Sequence, residues 1–215
     1  HGAALRVLAG LALVAFRRAE RDARHPFLPR GAFADALLRR GLLANALVSA
    51  VMMMTLVVGP FYLAHGVGLD AARVGLAMTL GPVMSSISGI PAGRLVDRFG
   101  AAGSAQLGVA MMAGAVELIA VLAQLLGLWG YLGGVVLLSP GYQLFLAANT
   151  TQVLMTAGEG QRGATSGLLG LSRNLGLISG AAAMGALFAW AVGQSDVTVA
   201  AAAQIIRGTS ASFAA

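Results

Sequence analysis

Two charged side chains stand inside long apolar stretches of this 215-residue sequence. Glu117 lies near the middle of residues 104–128, and Arg173 lies about two to three turns inside residues 164–193. Because an ionised group is costly to place among apolar ones, an isolated charge of this kind is a candidate functional group. A carboxyl group there can take up and release a proton, so Glu117 is the candidate for proton coupling. Arg173 is a candidate for contact with a polar or anionic substrate group.

Uncharged polar side chains gather in residues 129–157, a stretch with no charge at all. Gln143, Asn149 and Gln152 could line a binding cavity or join helices through hydrogen bonds. Asn149 and Gln152 are three positions apart and share one helix face, whereas Gln143 points elsewhere. We treat all three as candidate cavity residues.

Proline, glycine and methionine patterns in the apolar stretches favour structural roles. The pairs Gly81–Pro82 and Pro140–Gly141 could border a substrate path, as broken helices in transporters often do, but we favour simple helix kinks. The three methionines at 52–54 predict apolar packing or lipid contact rather than a binding pocket.

Two pairs of glycines at four-residue spacing predict close contacts between helices. Gly89 precedes Gly93, and Gly176 precedes Gly180. Glycine at every fourth position lets the backbones of two membrane helices approach closely. Gly89, Gly176 and Gly180 are therefore candidate packing residues.

A short charged stretch, PAGRLVDRFG at 91–100, separates two apolar ones. Its glycines suit a tight connection between helices. Its aspartate suits a helix N-terminus, and its arginines can pair with that aspartate or with C-terminal carbonyl groups. The stretch therefore predicts a latch between two helices, with these candidate gating residues: Gly93, Arg94, Asp97, Arg98 and Gly100.

Composition bounds the class of protein. Hydrophobic residues make up 58% of the chain and charged residues 10%, whereas a soluble domain carries about 25% charged residues. The sequence therefore predicts a protein that faces lipid. There is no cysteine, and the three histidines are scattered, so we expect no metal site, no cofactor and no enzymatic activity. The arginines cluster between apolar runs, which indicates membrane loops and argues against nucleic-acid binding.

Five stretches are long enough to cross a bilayer, which takes about 20 apolar residues. None of them alternates in the manner of a strand, so we predict an all-α bundle of membrane helices. The predicted spans are residues 42–64, 74–92, 104–128, 129–157 and 164–193.

The two ends of the chain predict partial elements. Residues 1–16 are too short to span, and arginines follow where a signal peptide would be cleaved, so we interpret them as the end of a truncated transmembrane helix. Residues 17–41 form an arginine-rich linker, residues 42–193 a five-span bundle, and residues 194–215 an extracytoplasmic loop leading to a missing last helix.

Loop charge predicts the orientation, because arginine-rich loops stay in the cytoplasm. The loops at 17–41, 93–103 and 158–163 are richer in arginine than the alternate ones. We therefore place these three on the cytoplasmic side of a multi-pass protein of the cell membrane.

The charged stretch also resembles a known motif. GRLVDRFG is similar to the Gly-x-Leu-x-Asp-Arg-x-Gly loop signature of the major facilitator superfamily, although Ala101 and Ala102 replace its closing basic residues. The degenerate ending resembles the copy in the second half of these transporters. RAERDARHPFLPRGAF resembles the linker before helix nine of fourteen-helix drug:proton antiporters. GATSGLLGLSRNLGLISGAAAMGALF resembles their thirteenth helix.

The resemblance implies the C-terminal half of a major facilitator fold, with five full spans and part of another. It implies proton-coupled export of hydrophobic drugs or antibiotics by alternating access, with the proton gradient as the energy source. The implied partners are the lipid bilayer, a hydrophobic small molecule, protons and the missing N-terminal half. Two alternatives stay open: an uptake or exchange carrier for a sugar, anion or metabolite, and a non-transporting fragment or membrane scaffold.

Overall fold

The computed structural model describes residues 35–158 and 160–192, and within these residues every regular element is helical. This confirms the predicted all-α class. Residues 1–34 and 193–215 lie outside the described part, and so do the partial helix predicted at 1–16, most of the linker and the final loop. The five helices are α1 (Ala36–Phe61), α2 (Ala71–Phe99), α3 (Ala101–Leu126), α4 (Leu128–Thr156) and α5 (Arg162–Val192). A π-helical turn, Tyr62–Gly66, extends α1.

Four helices in the described part are long and apolar enough to cross a membrane: α1 with its π-helical turn, α2, α3 and α4. Helix α5 has 31 residues, which corresponds to about 46 Å at 1.5 Å per residue. Polar side chains such as Ser172 and Arg173 lower the hydropathy of its first half. The fifth predicted crossing, by α5, stays a prediction.

Helices α1 and α5 run parallel in a constant register. Ser172 donates a hydrogen bond to the carbonyl of Leu42, Gly176 lies against the backbone of Ala46, and Gly180 lies against that of Ala50. The two glycine–alanine pairs have the same separation along the sequence as the hydrogen-bonded pair, namely 130 positions. A Cβ atom on Gly180 would lie 2.5 Å from the Cα of Ala50, so only glycine permits this approach.

Gly89, the third predicted packing residue, does not make such a contact. It is exposed on α2, and no atom in the described part of the chain lies within 4 Å of where its Cβ would be. The four-residue spacing alone did not distinguish a contact face from an outer one.

The predicted loop at 93–103 is helical except at Gly100. Helix α2 continues through the charged residues to Phe99, and α3 begins at Ala101. Gly100 reverses the chain with φ +81° and ψ 157°, a conformation that only glycine adopts without strain. Charge ended the apolar run in the sequence but did not end the helix, because a continuing helix keeps the backbone hydrogen bonds satisfied.

Helix α4 is the most buried element of the described bundle. Over half of its most apolar window is buried inside the protein, more than in the other membrane-length helices. One face packs tightly on α3, where Gly108 and Gly141 bring the two backbones together. Another face packs on α2 in parallel, with Gly81 near Ser139. Helix α4 thus places its polar side chains against several neighbours at once.

Candidate functional site

A cavity of about 320 Å³ lies among α1, α2, α4 and α5. Its walls include the Gly81–Pro82 pair of α2, the residue next to the Pro140–Gly141 pair of α4, two of the three consecutive methionines and an arginine of α5. Its lining residues are Met52, Met53, Leu56, Ala77, Met78, Gly81, Pro82, Ser85, Tyr131, Val135, Ser139, Tyr142, Gln143, Arg173 and Leu177.

Four polar residues of the lining lie together at one end. Arg173 reaches Tyr142, with its guanidinium carbon 5.9 Å from the centre of the ring. The next residue of α4, Gln143, donates from its Nε2 to the carbonyl oxygen of Ser85 at 3.1 Å. We call Ser85, Tyr142, Gln143 and Arg173 the polar end of the cavity.

The opposite end of the cavity is apolar. Val135 lies eight residues before Gln143 on α4, which is about 12 Å along the helix axis. Helix α2 runs parallel to α4, so Met78 lies at the level of Val135 just as Ser85 lies at the level of Gln143. We call Leu56, Ala77, Met78 and Val135 the apolar end. The polar group at this end is the hydroxyl of Tyr131, which donates to the Sδ of Met78 at 3.8 Å.

Ser139 lies between the two ends and has an unusual environment. The residue is fully buried, and its hydroxyl group finds no hydrogen-bond partner among the described residues. A buried polar group without a partner costs about 1–3 kcal/mol. Ser139 is also one of the residues that line the cavity, so a bound molecule is the partner that we consider for its hydroxyl group.

Two of the predicted cavity residues, Arg173 and Gln143, line this cavity, and the other two do not. Asn149 is only 4% exposed and donates from its Nδ2 to the carbonyl oxygen of Gly41 at 3.1 Å. It joins α4 to the start of α1. Gln152, which shares the face of Asn149, is also absent from the lining. Asn149 is thus turned towards α1 rather than towards the cavity.

Glu117 lies away from the cavity. Its neighbours two positions before and after, Ala115 and Ile119, are fully buried, with Ile119 packed against Gly134 of α4. Residues two positions apart point to opposite sides of a helix, so Glu117 is exposed on the outer face of α3. Its role in proton coupling stays a prediction.

The predicted gating residues lie at the end of α2. Arg94, Asp97 and Arg98 are exposed there. The guanidinium carbon of Arg98 lies 5.4 Å from the ring centre of Phe99. Within residues 35–158 and 160–192, Asp97 pairs with no arginine, and the ion pair formed there joins Arg73 to Asp70 instead. Of the two partners predicted for the loop arginines, Asp97 is therefore not paired with them in the described bundle.

Sequence reasoning missed several residues of the cavity. Ser139, Gly81 and Pro82 belong to or border the kink pairs, which we had interpreted as structural. Met52 and Met53 belong to the methionine run that we had assigned to packing. The available signal was the presence of a Gly–Pro or Pro–Gly pair in two different helices, because irregular backbone at membrane depth is tolerated where it borders a cavity.

Comparison with known proteins identifies the group of proteins to which this bundle belongs. The family model described as Major Facilitator Superfamily matches residues 3–181, which is most of the chain. The chain belongs to the major facilitator superfamily. This membership agrees with the loop motif at the end of α2, and it makes the chain part of a transporter family rather than an enzyme family.

Two similar proteins extend this finding. The chain is 27% identical over 157 residues to an uncharacterized transporter, YebQ, of Escherichia coli strain K12. That match covers 73% of this chain and 34% of the relative. This major facilitator chain thus spans about a third of that relative's length.

A solved structure shows the same fold. It is the crystal structure of a bacterial homologue of the iron transporter ferroportin in an outward-facing state. The TM-score is 0.61 and the sequence identity 23%, with 86% of this chain and 44% of that chain covered. At this level of identity the match establishes the fold of the major facilitator chain and nothing about its substrate.

Proposed function

We propose that the transporter carrying this sequence exports hydrophobic small molecules, drugs or antibiotics among them, by alternating access driven by a proton gradient. The observation that carries the proposal is the cavity among α1, α2, α4 and α5. Most of its lining is apolar, with methionine side chains from two helices. Methionine is flexible and polarisable, so such a surface can accommodate differently shaped apolar molecules.

An organic substrate fits this lining better than a metal ion does. The lining contains no carboxylate and no imidazole group. In the described part of the chain, no three histidine, cysteine, aspartate or glutamate residues lie close enough together to hold a metal ion. The iron transported by the ferroportin family is therefore not the cargo we propose for this chain.

Proton coupling is the second part of the proposal. A proton carrier within the membrane needs a titratable group, and Glu117 is the acidic residue in the middle of a described helix. Since Glu117 lies outside the cavity, protonation there would act on the arrangement of helices rather than on substrate contact. Coupling then requires that the proton and the substrate favour different states of the transporter.

Inside-out membrane vesicles test the proposal directly. The complete reading frame that contains this sequence is expressed, the vesicles are energised with a pH gradient, and a panel of lipophilic dyes and antibiotics is added. Export coupled to protons predicts that some compounds collapse the gradient, and vesicles without the protein supply the baseline. No collapse by any compound would favour an uptake carrier or a non-transporting membrane module.

The variant Glu117→Gln separates the two parts of the proposal. Loss of the collapse, at equal amounts of inserted protein, assigns coupling to this half of the transporter. Persistence of the collapse assigns coupling to helices outside the described residues and leaves export itself intact.

A further inference from the structure

We infer that the preferred substrates are amphipathic organic anions, with Arg173 binding the anionic group and the apolar end of the cavity holding the hydrophobic body. This inference rests on the proposed function, because it names the substrate class of the same cavity. It goes beyond that function by assigning a charge and an orientation to the bound molecule.

The first argument for an anionic substrate is the charge of the cavity lining. Arg173 is the charged residue among the lining side chains, and no carboxylate accompanies it. Within the described helices Arg173 makes no ion pair. A guanidinium group stays protonated at every physiological pH. Arg173 is exposed in the described bundle, so its donors are open to an anion that enters the cavity, and its charge repels a cation there.

The second argument is the position of the guanidinium group of Arg173. It lies beside the face of Tyr142, whose hydroxyl oxygen is 3.5 Å from the Oγ of Ser49 on α1. Tyr142 is buried, so the aromatic surface beneath Arg173 is fixed between α4 and α1. A guanidinium held over a ring keeps its edge donors available, and these match the paired oxygens of a carboxylate, sulfonate or phosphate group.

Ser139 supplies an independent observation that points to a ligand. Its unpartnered hydroxyl lies one turn of α4 before Tyr142 and Gln143. An oxygen of the bound anion, or a polar atom next to it, would accept a hydrogen bond from this group. The same molecule would then satisfy the one buried side-chain atom that the described residues leave without a partner.

The apolar end of the cavity determines the chemistry of the rest of the bound substrate, beyond its anionic group. Leu56, Ala77, Met78 and Val135 offer hydrocarbon and thioether surface but no charge. The ends are separated by about 12 Å along α4, which fits an aromatic or alkyl body attached to the anionic group. An uncharged analogue keeps the apolar contacts but loses the partner of Arg173, and a cationic analogue is repelled.

A matched pair of fluorescent probes tests the inference: 11-(dansylamino)undecanoic acid and its methyl ester. Both are titrated onto the protein from the complete reading frame, reconstituted in nanodiscs, and the signal from empty nanodiscs is subtracted. We expect the acid to bind at least about tenfold more tightly than the ester. Arg173→Gln should bring the two affinities together while leaving that for the ester unchanged, and Arg173→Lys should keep part of the preference.

Arg162→Gln is the matched control, because it removes one arginine from the exposed start of α5 and should keep the preference. Ser139→Ala should weaken binding of the acid by a few fold. Ester binding reports in each variant that the cavity is intact. Equal affinities in the wild type, no binding of either probe, or a preference that survives Arg173→Gln would overturn the inference.

The results also separate this inference from the proposed function. If the vesicles export uncharged compounds and the protein shows no preference for the acid probe, the export proposal stands and the anion site is ruled out. A preference that depends on Arg173, without any proton-driven export, keeps the anion site and removes the export proposal.

Discussion

Gly176 of α5 lies directly against the backbone of Ala46 of α1, in the same register as the Ser172–Leu42 hydrogen bond. Helix backbones approach this closely only where side chains are absent. The contact joins the first and last described helices, and it forms the side of the bundle from which Arg173 reaches the cavity.

Gly176→Leu is expected to destabilise the protein, because the new side chain would overlap the backbone of Ala46. Overpacking of this kind typically costs about 1–3 kcal/mol. Thermal unfolding in detergent, followed by loss of the monodisperse peak, measures the effect. Gly170→Leu on the same helix is the control, since Gly170 is exposed and no atom of the described residues lies within 4 Å of where its Cβ would be. Equal melting temperatures for the two variants would contradict the close contact.

Asn149→Ala should lower stability rather than change substrate preference. The substitution removes the amide that donates to the buried carbonyl of Gly41 and leaves that carbonyl without its side-chain partner. The expected cost is about 1–3 kcal/mol of the free energy of unfolding. The measurements are the melting temperature and the acid-to-ester affinity ratio of the probes described above. The partner variant is Gln152→Ala, for which we expect a smaller loss. A changed affinity ratio together with normal stability would contradict this prediction and would mean that Asn149 contacts the substrate.

Gly100→Ala is expected to strain the connection between α2 and α3. A side chain at φ +81° and ψ 157° costs about 1–3 kcal/mol, because this region is accessible only to glycine. Gly103→Ala, three residues later and inside α3, should instead be neutral or slightly stabilising. Comparison of the two melting temperatures isolates the backbone effect. Similar values would mean that the turn relaxes at no cost.

Asp97→Asn is expected to lower transport without lowering insertion or stability. The carboxylate is exposed at the end of α2 and pairs with no described residue, so its removal costs this bundle little. If the carboxylate of Asp97 acts as a latch, its partner lies elsewhere in the transporter. The substitution would then destabilise one of the states between which the transporter alternates. Transport in vesicles at matched expression measures this, with Asp97→Glu as the variant that keeps the charge. Normal transport by Asp97→Asn would rule out the latch.

The helices were predictable from the sequence to within several residues at most ends. Apolar runs longer than the bilayer leave few alternatives to a membrane helix. The ends were less accurate: α1 begins at Ala36 rather than at 42, and α2 continues to Phe99 rather than to 92. Hydropathy reports where the hydrocarbon ends, whereas the backbone stays helical past that point until Gly100 provides the turn.

The site was less predictable because α4 is apolar on nearly every side. In a helix with one apolar face the pattern shows what points inward, but α4 packs on α1, α2 and α3 at once. The pattern therefore could not say that Gln143 turns to the cavity and Asn149 to α1. Arg173 stood out because a lone charge in an apolar run has few acceptable positions. Ser139 did not, since serine is common in membrane helices and only burial distinguishes it.

The parallel contact of α1 with α5 also sets an order of events during synthesis. The paired residues are 130 positions apart, so at about 5–20 residues per second roughly 7 to 26 s pass between the emergence of the two partners. Asn45 and Leu169 are 124 positions apart, so for roughly 6 to 25 s the amide group of Asn45 lacks the carbonyl to which it later donates. The amide group of Asn45 on α1 is thus synthesised well before its partner, and translation of α5 supplies that partner.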